Sequence, residues 1–153
     1  MSGTWPTARA VIVTHLDHLA VDAGAEYAAE TLTALAFPPA SVQTSIVPYC
    51  YVVPPARRIE RWPGSHREMT FTGVRVRFIL GGLGDNLERI ATRMEAVIEA
   101  IADAFDDAVS LDGTVDVVLS QEISELQVQQ PEEMWGFDML IELSLSEQKT
   151  FSA

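Results

Sequence analysis

The stretch that decides the fold runs from Glu68 to Asp107 and reads EMTFTGVRVRFILGGLGDNLERIATRMEAVIEAIADAFDD. Its first part alternates with a period of two, which puts one apolar stripe on a β-strand. The residues of that stripe are Val74, Val76, Phe78 and Leu80. After three closely spaced glycines, the apolar residues recur at the spacing of an amphipathic helix. They are Leu87, Ile90, Ala91, Met94, Val97, Ile98, Ile101 and Phe105. The stretch therefore predicts a strand, a tight turn and a helix.

Length and composition limit the class of protein. A chain of 153 residues fits a single domain, 1–153, that can bury a core of its own. The single cysteine, Cys50, excludes an internal disulfide framework and a thiolate metal cage, so a reducing compartment is expected. The first residues lack the pattern of a secretory signal, and the longest uncharged run, 31–56, contains five prolines, which a membrane-spanning helix would not accept.

The charge of the chain is large and unevenly distributed. It has 22 acidic and 10 basic residues, a formal charge of −12, which argues against general or sequence-specific nucleic-acid binding. Residues 57–77 carry six arginines and two glutamates, a balance of +4, whereas 85–147 carry sixteen acids and two arginines, a balance of −14. This separation suits a protein that packs against copies of itself.

The N-terminal third of the sequence predicts helix followed by extended chain. A first helix is expected to begin at Thr4 with Pro6 in its first turn. It then either continues through Gly24 or gives way to a second helix that ends near Leu35. The apolar face of the first helix and its continuation contains Ala8, Ile12, Leu16, Leu19, Ala23 and Tyr27. Residues 41–53 favour extended structure, which Pro48 restricts to an edge strand or an irregular segment.

A basic hairpin arm is predicted over residues 57–77. Two extended runs, 57–61 and 67–80, flank the turn signal Pro63-Gly64-Ser65. An arm so charged is not expected to be buried in its own monomer, and Trp62 near its tip is the kind of apolar anchor that interfaces favour.

The remaining signals concern the second helix and the C-terminal strands. Asp85 with Glu88 predicts a capping box at the helix start. Asp103, Asp106 and Asp107 crowd the C-terminal end of this helix, where the helix dipole disfavours negative charge. These residues therefore either meet a cationic partner or form a solvated acidic end. A strand is expected from Thr114 to Ser120, and a clear one from Phe137 to Leu145. The predicted class is α+β, a single domain with an antiparallel or mixed sheet, two main helices on one face and a projecting arm.

No catalytic signature appears in the sequence, so no catalytic residue, no cofactor and no enzyme activity are expected. The glycines of Gly81–Asp85 suit a turn with positive φ better than a phosphate loop, because Asp85 would repel a phosphate. His15 and His18 are candidate metal ligands on one side of helix one, but no third ligand is evident. Cys50 has no local feature that would lower its pKa, and the abundant carboxylates carry no information about acid–base catalysis.

Three stretches resemble the tail terminator (tail completion) proteins of long-tailed phages and their counterparts in gene transfer agents. They are VRVRFILGG, NLERIATRMEAVIEAIADAF and WGFDMLIELSLSEQKTFSA. The resemblance implies a ring, usually of six subunits, that caps the tail tube, ends its polymerisation and joins it to the head or neck. Its partners would be the tail tube protein and a neck or head–tail connector protein. Its location would be the virion, assembled in the host cytoplasm, with DNA passing through an acidic lumen.

The charges suggest how such a ring could close. The hypothesis is that the basic arm of one subunit pairs with an acidic face of the next, a heterologous contact. The arm residues are Arg57, Arg58, Arg61, Trp62 and Arg67, and the acidic candidates are Asp103, Asp106, Asp107, Glu132 and Glu133. Two alternatives remain open at this point. One is another neck component, such as a connector or a tube-like protein, and the other is a small metal-dependent enzyme using the two histidines.

Overall fold

Two helices and nine strands are formed in the computed structural model, which describes residues 4–21, 29–41, 43, 46–62, 66–106 and 117–148. The helices are α1 (Trp5–Leu16) and α2 (Leu87–Phe105). The strands are β1 (Ala20–Val21), β2 (Glu30–Thr31), β3 (Thr33–Leu35), β4 (Tyr49–Val52), β5 (Arg58–Trp62), β6 (His66–Gly82), β7 (Val117–Ile123), β8 (Gln127–Gln129) and β9 (Met134–Gln148).

The main sheet is mixed, in agreement with the α+β prediction. Its order is β3-β4-β6-β9-β7, with β5 added beside β6 and β8 beside β9. Of the strand pairs described, β3–β4 is parallel and the others are antiparallel. A separate antiparallel pair is formed by β1 and β2.

The long antiparallel pair of β6 and β9 forms the spine of the sheet. Its register runs from His66 opposite Gln148 to Gly82 opposite Met134, with shifts between Phe71 and Val74 and between Ile79 and Gly81. At about 3.3 Å per residue, the 17 residues of β6 span roughly 55 Å. The two ends of this strand are therefore far apart in the molecule.

Both helices pack on one face of this spine, as predicted. Alternate residues of β6 and β9 are buried against α1 and α2, which is the arrangement that the period-two pattern predicts. The Trp5 ring stacks on Phe71 at 4.9 Å, and the rings of Phe78 and Phe137 stack at 4.6 Å. The spine contributes Phe71, Val74, Val76, Phe78, Leu80, Phe137, Met139, Ile141 and Leu143, and the helices contribute Trp5, Ala8, Ile12, Leu16, Ile90, Val97, Ile101 and Phe105.

The prediction that helical structure continues to Leu35 is wrong. Helix α1 begins after Thr4 as predicted but ends at Leu16, and 33–35 form a strand. The Asp17 carboxylate accepts a hydrogen bond of 3.0 Å from the Ala34 amide, which ties the helix end to that strand. Parallel pairing with β4 satisfies the backbone there better than a further helical turn would. Ala23, Gly24 and Tyr27 lie outside the described residues.

The prediction that Pro48 restricts 41–53 to an edge strand or an irregular segment is wrong for residues 49–52. Strand β4 starts immediately after Pro48 and lies between β3 and β6. Proline is tolerated because it precedes the strand, where its missing N–H removes no ladder bond. Its carbonyl still accepts from the Thr33 amide at 3.2 Å.

The turn before α2 differs from its prediction in two details. Asn86 is the N-cap, and its side chain accepts from the amides of Glu88 and Arg89 at 2.8 and 3.4 Å. Asp85 instead accepts from the Gly82 amide at 2.8 Å. No glycine in the described part of the chain has positive φ; at Gly81 a side chain would meet the Ile90 methyl group and the Asp85 carboxylate.

The C-terminal strands are confirmed where they are described. Strand β7 covers the second half of the predicted strand and extends it to Ile123, whereas 114–116 lie outside the described residues. Strand β9 contains the whole of the predicted strand from Phe137 to Leu145.

Candidate functional site on the hairpin arm and the outer sheet face

The predicted hairpin is present. Strand β5 pairs antiparallel with the first part of β6, from Arg58 opposite Thr70 to Trp62 opposite His66. The turn Pro63–Ser65 lies outside the described residues. The arm is shorter than the predicted 57–77, because Phe71, Val74 and Val76 already belong to the core. We therefore use "hairpin arm" for residues 57–62 together with 66–70.

The hairpin arm is exposed on both faces along β5. Residues 57 to 61 are all solvent-exposed, including Ile59 with 42% of its surface accessible. Consecutive strand residues point to opposite faces, so β5 adds no described side chain to the core. Arg58 forms an ion pair of 2.9 Å with Glu60, and the side chains of Trp62 and Arg67 lie outside the described part of the structure. Strand β5 is thus an extension of the sheet, and its side chains at 57–61 face solvent.

The register of the arm places like charges opposite each other. Glu60 lies opposite Glu68, and Arg61 lies opposite Arg67. Like charges at directly opposed positions destabilise an antiparallel pair. Glu60 has a partner in Arg58, whereas the opposed pair of Arg61 and Arg67 is one that an external acidic group would offset.

The predicted acidic residues fall into different environments. Asp103 and Asp106 are exposed at the end of α2, and Glu133 is exposed at a turn position with φ of 55°. Asp107 lies outside the described residues. Their contact with an arm of another copy stays a prediction.

Glu132 has partners within its own chain. Its side chain is only 7% exposed, and both carboxylate oxygens lie 3.0 Å from the Tyr51 hydroxyl that donates to them. The guanidinium of Arg77 lies 3.7 Å away. The assignment of Glu132 to an exposed acidic face is therefore wrong, because the turn at 130–133 folds this carboxylate onto the sheet.

Arg77 is the centre of a polar network on the outer face, the face opposite the helices. Its Nε donates to Asp138 at 3.0 Å, and its Nη1 donates to the Gln130 carbonyl at 2.6 Å. Asp138 also accepts from Gln129 at 3.2 Å and lies 3.6 Å from the Arg75 Nε. The sequence grouped both arginines with the arm, but the register of β6 and β9 sets Arg77 opposite Asp138. The network fastens the turn at 130–133 to the sheet.

A shallow groove of about 270 Å³ lies beside this network. It is lined by Arg75, Glu122, Ile123, Ser124, Asp138 and Leu140. The Asp138 carboxylate already accepts from Arg77, and the Asp138 backbone amide donates to the Ser124 hydroxyl oxygen at 2.8 Å. The polar groups in the groove therefore act on one another and hold the strands in place.

The structure does not place His15 and His18 on one side of a helix, as the predicted metal site requires. His15 lies on α1 with its ring 5.8 Å from that of Phe105, but His18 follows the helix end, at φ of 66°, beside Asp17 at 3.2 Å. The two histidines therefore do not share a helical face. Across the described residues, no group of three histidine, cysteine or acidic side chains is placed to hold a metal ion.

Cys50 is a core residue of β4. It is buried on the face that packs against the helices. Burial, with a smaller effect of the Asp17 charge, raises the pKa of the thiol well above its ordinary value. A buried thiol that stays protonated is a poor nucleophile, which agrees with the sequence-based interpretation that nothing near Cys50 lowers its pKa.

Tyr51 gives the outer face a measurable pH dependence. Burial, followed by the Glu132 charge, raises the pKa of its hydroxyl from 10.0 to about 12. The folded state thus holds this proton more tightly than the unfolded chain, so its contribution to stability is complete below pH 10 and is lost as pH rises through about 12.

We expect Tyr51→Phe to flatten the loss of stability in that pH window. The variant should also cost about 1 kcal/mol near neutrality, since it removes the hydrogen bond to Glu132. Urea midpoints measured across the window would test this expectation. Some loss of stability with rising pH should remain in the variant, because burial also raises the pKa of Tyr49. An equally steep fall in the variant would contradict the assignment to Tyr51.

Fold and surface together define an α+β protein with a mixed sheet, a solvent-exposed β5 strand and an outer face on which a buried apolar cluster of Tyr49, Tyr51, Ile79 and Met134 lies beside the polar network of Arg77. In the part of the chain that the structure describes, neither helix combines the length and apolarity needed to cross a membrane.

Comparison with known proteins adds little to this description. No family model matches the chain, and no curated protein matches it. Among solved structures, one similar chain comes from a virion of a native gene transfer agent particle, with 13% identity, 74% of this chain and 78% of that chain covered, and a TM-score of 0.40. That score is too low to establish a common fold or a common role.

Proposed function

We propose that this chain is a structural protein of a phage-like virion. In the proposed role it forms a ring, expected to be hexameric, that caps the tail tube, ends its polymerisation and joins it to the head or neck. The observation that carries the proposal is the hairpin arm, in which β5 forms an edge of the sheet and residues 57–61 are exposed on both faces. A lone monomer gains no core from such an element, whereas a subunit in a ring can place it on its neighbour.

The charge of the chain supports the same role. An arm with a net positive charge and a body with a large negative one attract each other between copies. A ring lined with carboxylates would let DNA pass without binding it. The proposal includes no enzyme activity and no cofactor. The partners would be further copies of the chain, the tail tube protein and a neck or connector protein.

Reversing the arm charges should prevent assembly. We expect the triple variant Arg57→Glu, Arg58→Glu, Arg61→Glu to sediment as a monomer at concentrations where the original chain forms rings, because its arm would repel an acidic neighbour. The matched control replaces the same three residues with lysine, which keeps the charge and should keep assembly. If the glutamate variant assembles as well as the lysine variant, the arm does not make the ring contact.

Electron microscopy with tail tubes separates the tail terminator from another neck component. A terminator should decorate one end of purified tubes and stop their growth, and the glutamate variant should do neither. A connector would instead bind the head portal, and a tube-like protein would extend the tube. A chain that forms no ring and binds no tube end would overturn the proposed function.

A further inference from the structure

The end of the spine opposite the arm carries an exposed apolar pair. Leu83 in the turn after β6 and Leu87 at the start of α2 each have 54% of their surface accessible. Phe37 is equally exposed, but its ring lies under the Arg9 guanidinium at 4.1 Å. The other large apolar side chains exposed in the described structure are Ile59, Ile123 and Val128. The two leucines are four residues apart, and we call the segment 83–88 the turn knob.

The turn knob is held in one conformation by its own polar groups. Asp85 binds the Gly82 amide, and Asn86 caps the helix through two amides. The absence of a side chain at Gly81 lets Ile90 and Asp85 pack directly on the strand end. A surface fixed in this way loses little conformational entropy when it binds a partner.

The turn knob and its surroundings are acidic. Asp85 and Glu88 are both exposed, and the register of Gly82 with Met134 brings exposed Glu133 beside them. Counting Arg89, which follows the knob, this end of the molecule still carries a net charge of −2. An apolar pair with an acidic surround fits a partner that is apolar and basic.

The hairpin arm has that character. Its β5 strand presents Ile59 in the described structure among exposed arginines, of which Arg58 and Arg61 flank it closely. The arm and the turn knob lie toward opposite ends of β6: Ile59 pairs with Met69, thirteen residues before Gly82, which is roughly 43 Å at the ordinary rise of a strand. They cannot meet within one chain, so an arm that reaches a knob belongs to a second copy.

We propose that the turn knob is the docking site for the hairpin arm of a neighbouring copy. This inference rests on the proposed ring and names the surface that closes it. Ile59 would cover Leu83 and Leu87, and Arg61 would face Glu88. The contact joins different surfaces of the two copies, so it is heterologous and closes into a ring when the rotation between subunits allows it. The sequence-based hypothesis instead placed the arm on the end of α2 or on Glu132 and Glu133, and of these residues Glu133 lies beside the turn knob.

A charge exchange tests the contact. Arg61→Glu and Glu88→Arg are suited to it because the Arg58 and Asp85 side chains are already engaged within the chain. Arg61→Glu also places a glutamate opposite Arg67 in the register, so it does not weaken the hairpin itself. Each single variant should weaken association by about tenfold or more in sedimentation equilibrium, and the double variant should recover most of that loss.

The apolar half of the contact needs its own variant. Leu83→Ser with Leu87→Ser should weaken association by about tenfold or more while the urea midpoint stays close to that of the original chain, since both side chains are largely exposed. Ile123→Ser is the matched control, an exposed apolar residue away from the knob that should leave association unchanged.

The outcomes distinguish this inference from the proposed function. If the original chain forms rings and the knob variants form them equally well, or the charge exchange does not restore association, the knob is not the docking site and the ring proposal stands. If the original chain stays monomeric at every concentration and with tail tubes, both proposals fail.

Discussion

Gly136→Ala is expected to destabilise the protein by more than about 3 kcal/mol, a large part of the stability of an ordinary domain. A β-carbon at this position would collide with the carbonyl oxygen of Phe78 and lie 3.1 Å from its carbonyl carbon. These are backbone atoms of the adjacent strand, so no side-chain rotation can relieve the collision. Separating the strands would disturb the stacked rings of Phe78 and Phe137.

Gly73→Ala provides the matched control in the same strand pair. A β-carbon there would meet only the Leu140 side chain, at an ordinary contact distance of 3.9 Å, and the backbone does not have positive φ. We expect a change within about 1 kcal/mol, of either sign. Urea denaturation followed by circular dichroism measures both variants, and similar stabilities for the two would show that β6 and β9 can move apart at little cost.

Arg93→Met is expected to destabilise the protein by about 2–4 kcal/mol. Arg93 is 6% exposed, and its guanidinium holds the Glu30 carboxylate through two bonds of 3.0 Å. It also donates to the Leu80 carbonyl near the end of β6. Methionine would leave the carboxylate without its counter-ion in a largely desolvated site, which is the costly way to break a buried ion pair.

The double variant Arg93→Met with Glu30→Gln identifies the source of that cost. If the uncompensated carboxylate is responsible, the double variant should recover part of the loss in a denaturant titration. Glu95→Ala, an exposed change on the same helix, should shift stability by no more than about 0.5 kcal/mol. A double variant no more stable than Arg93→Met would place the cost in the bond to Leu80 or in packing instead.

The elements predicted correctly are those whose signals are local. The change from a period of two to a period of 3.6 after Leu80 identifies β6 and α2, and the turn residues after Trp62 identify the hairpin. The failed prediction at 33–35 depends on a partner strand, β4, which follows far along the chain. The pairing of residues 33–35 with β4 depends on tertiary contacts, so local propensities do not predict it.

The sequence did not predict the ion pairs of Arg93 and Arg77, because their partners are also distant along the chain. The position of each arginine nevertheless gave a local signal. Arg93 stands three residues after Ile90 and four before Val97, on the apolar stripe of α2, which marks it as a charge in need of a buried partner. The partner, Glu30, is 63 residues away, and nothing local connects them. Arg77 alternates with buried residues of β6, but only the register between β6 and β9 shows that Asp138 lies opposite it and accepts its hydrogen bond.

The continuity of β6 determines how the subunit would bear a mechanical load. In the proposed ring, the contacts of each copy lie toward the two ends of β6, so a pull between neighbouring copies would run along the axis of that strand. The hydrogen bonds to β9 lie perpendicular to this axis, and a pull along it loads them together in shear instead of opening them one after another. Under tension, the β6–β9 pair of each subunit would therefore resist separation through many hydrogen bonds at once.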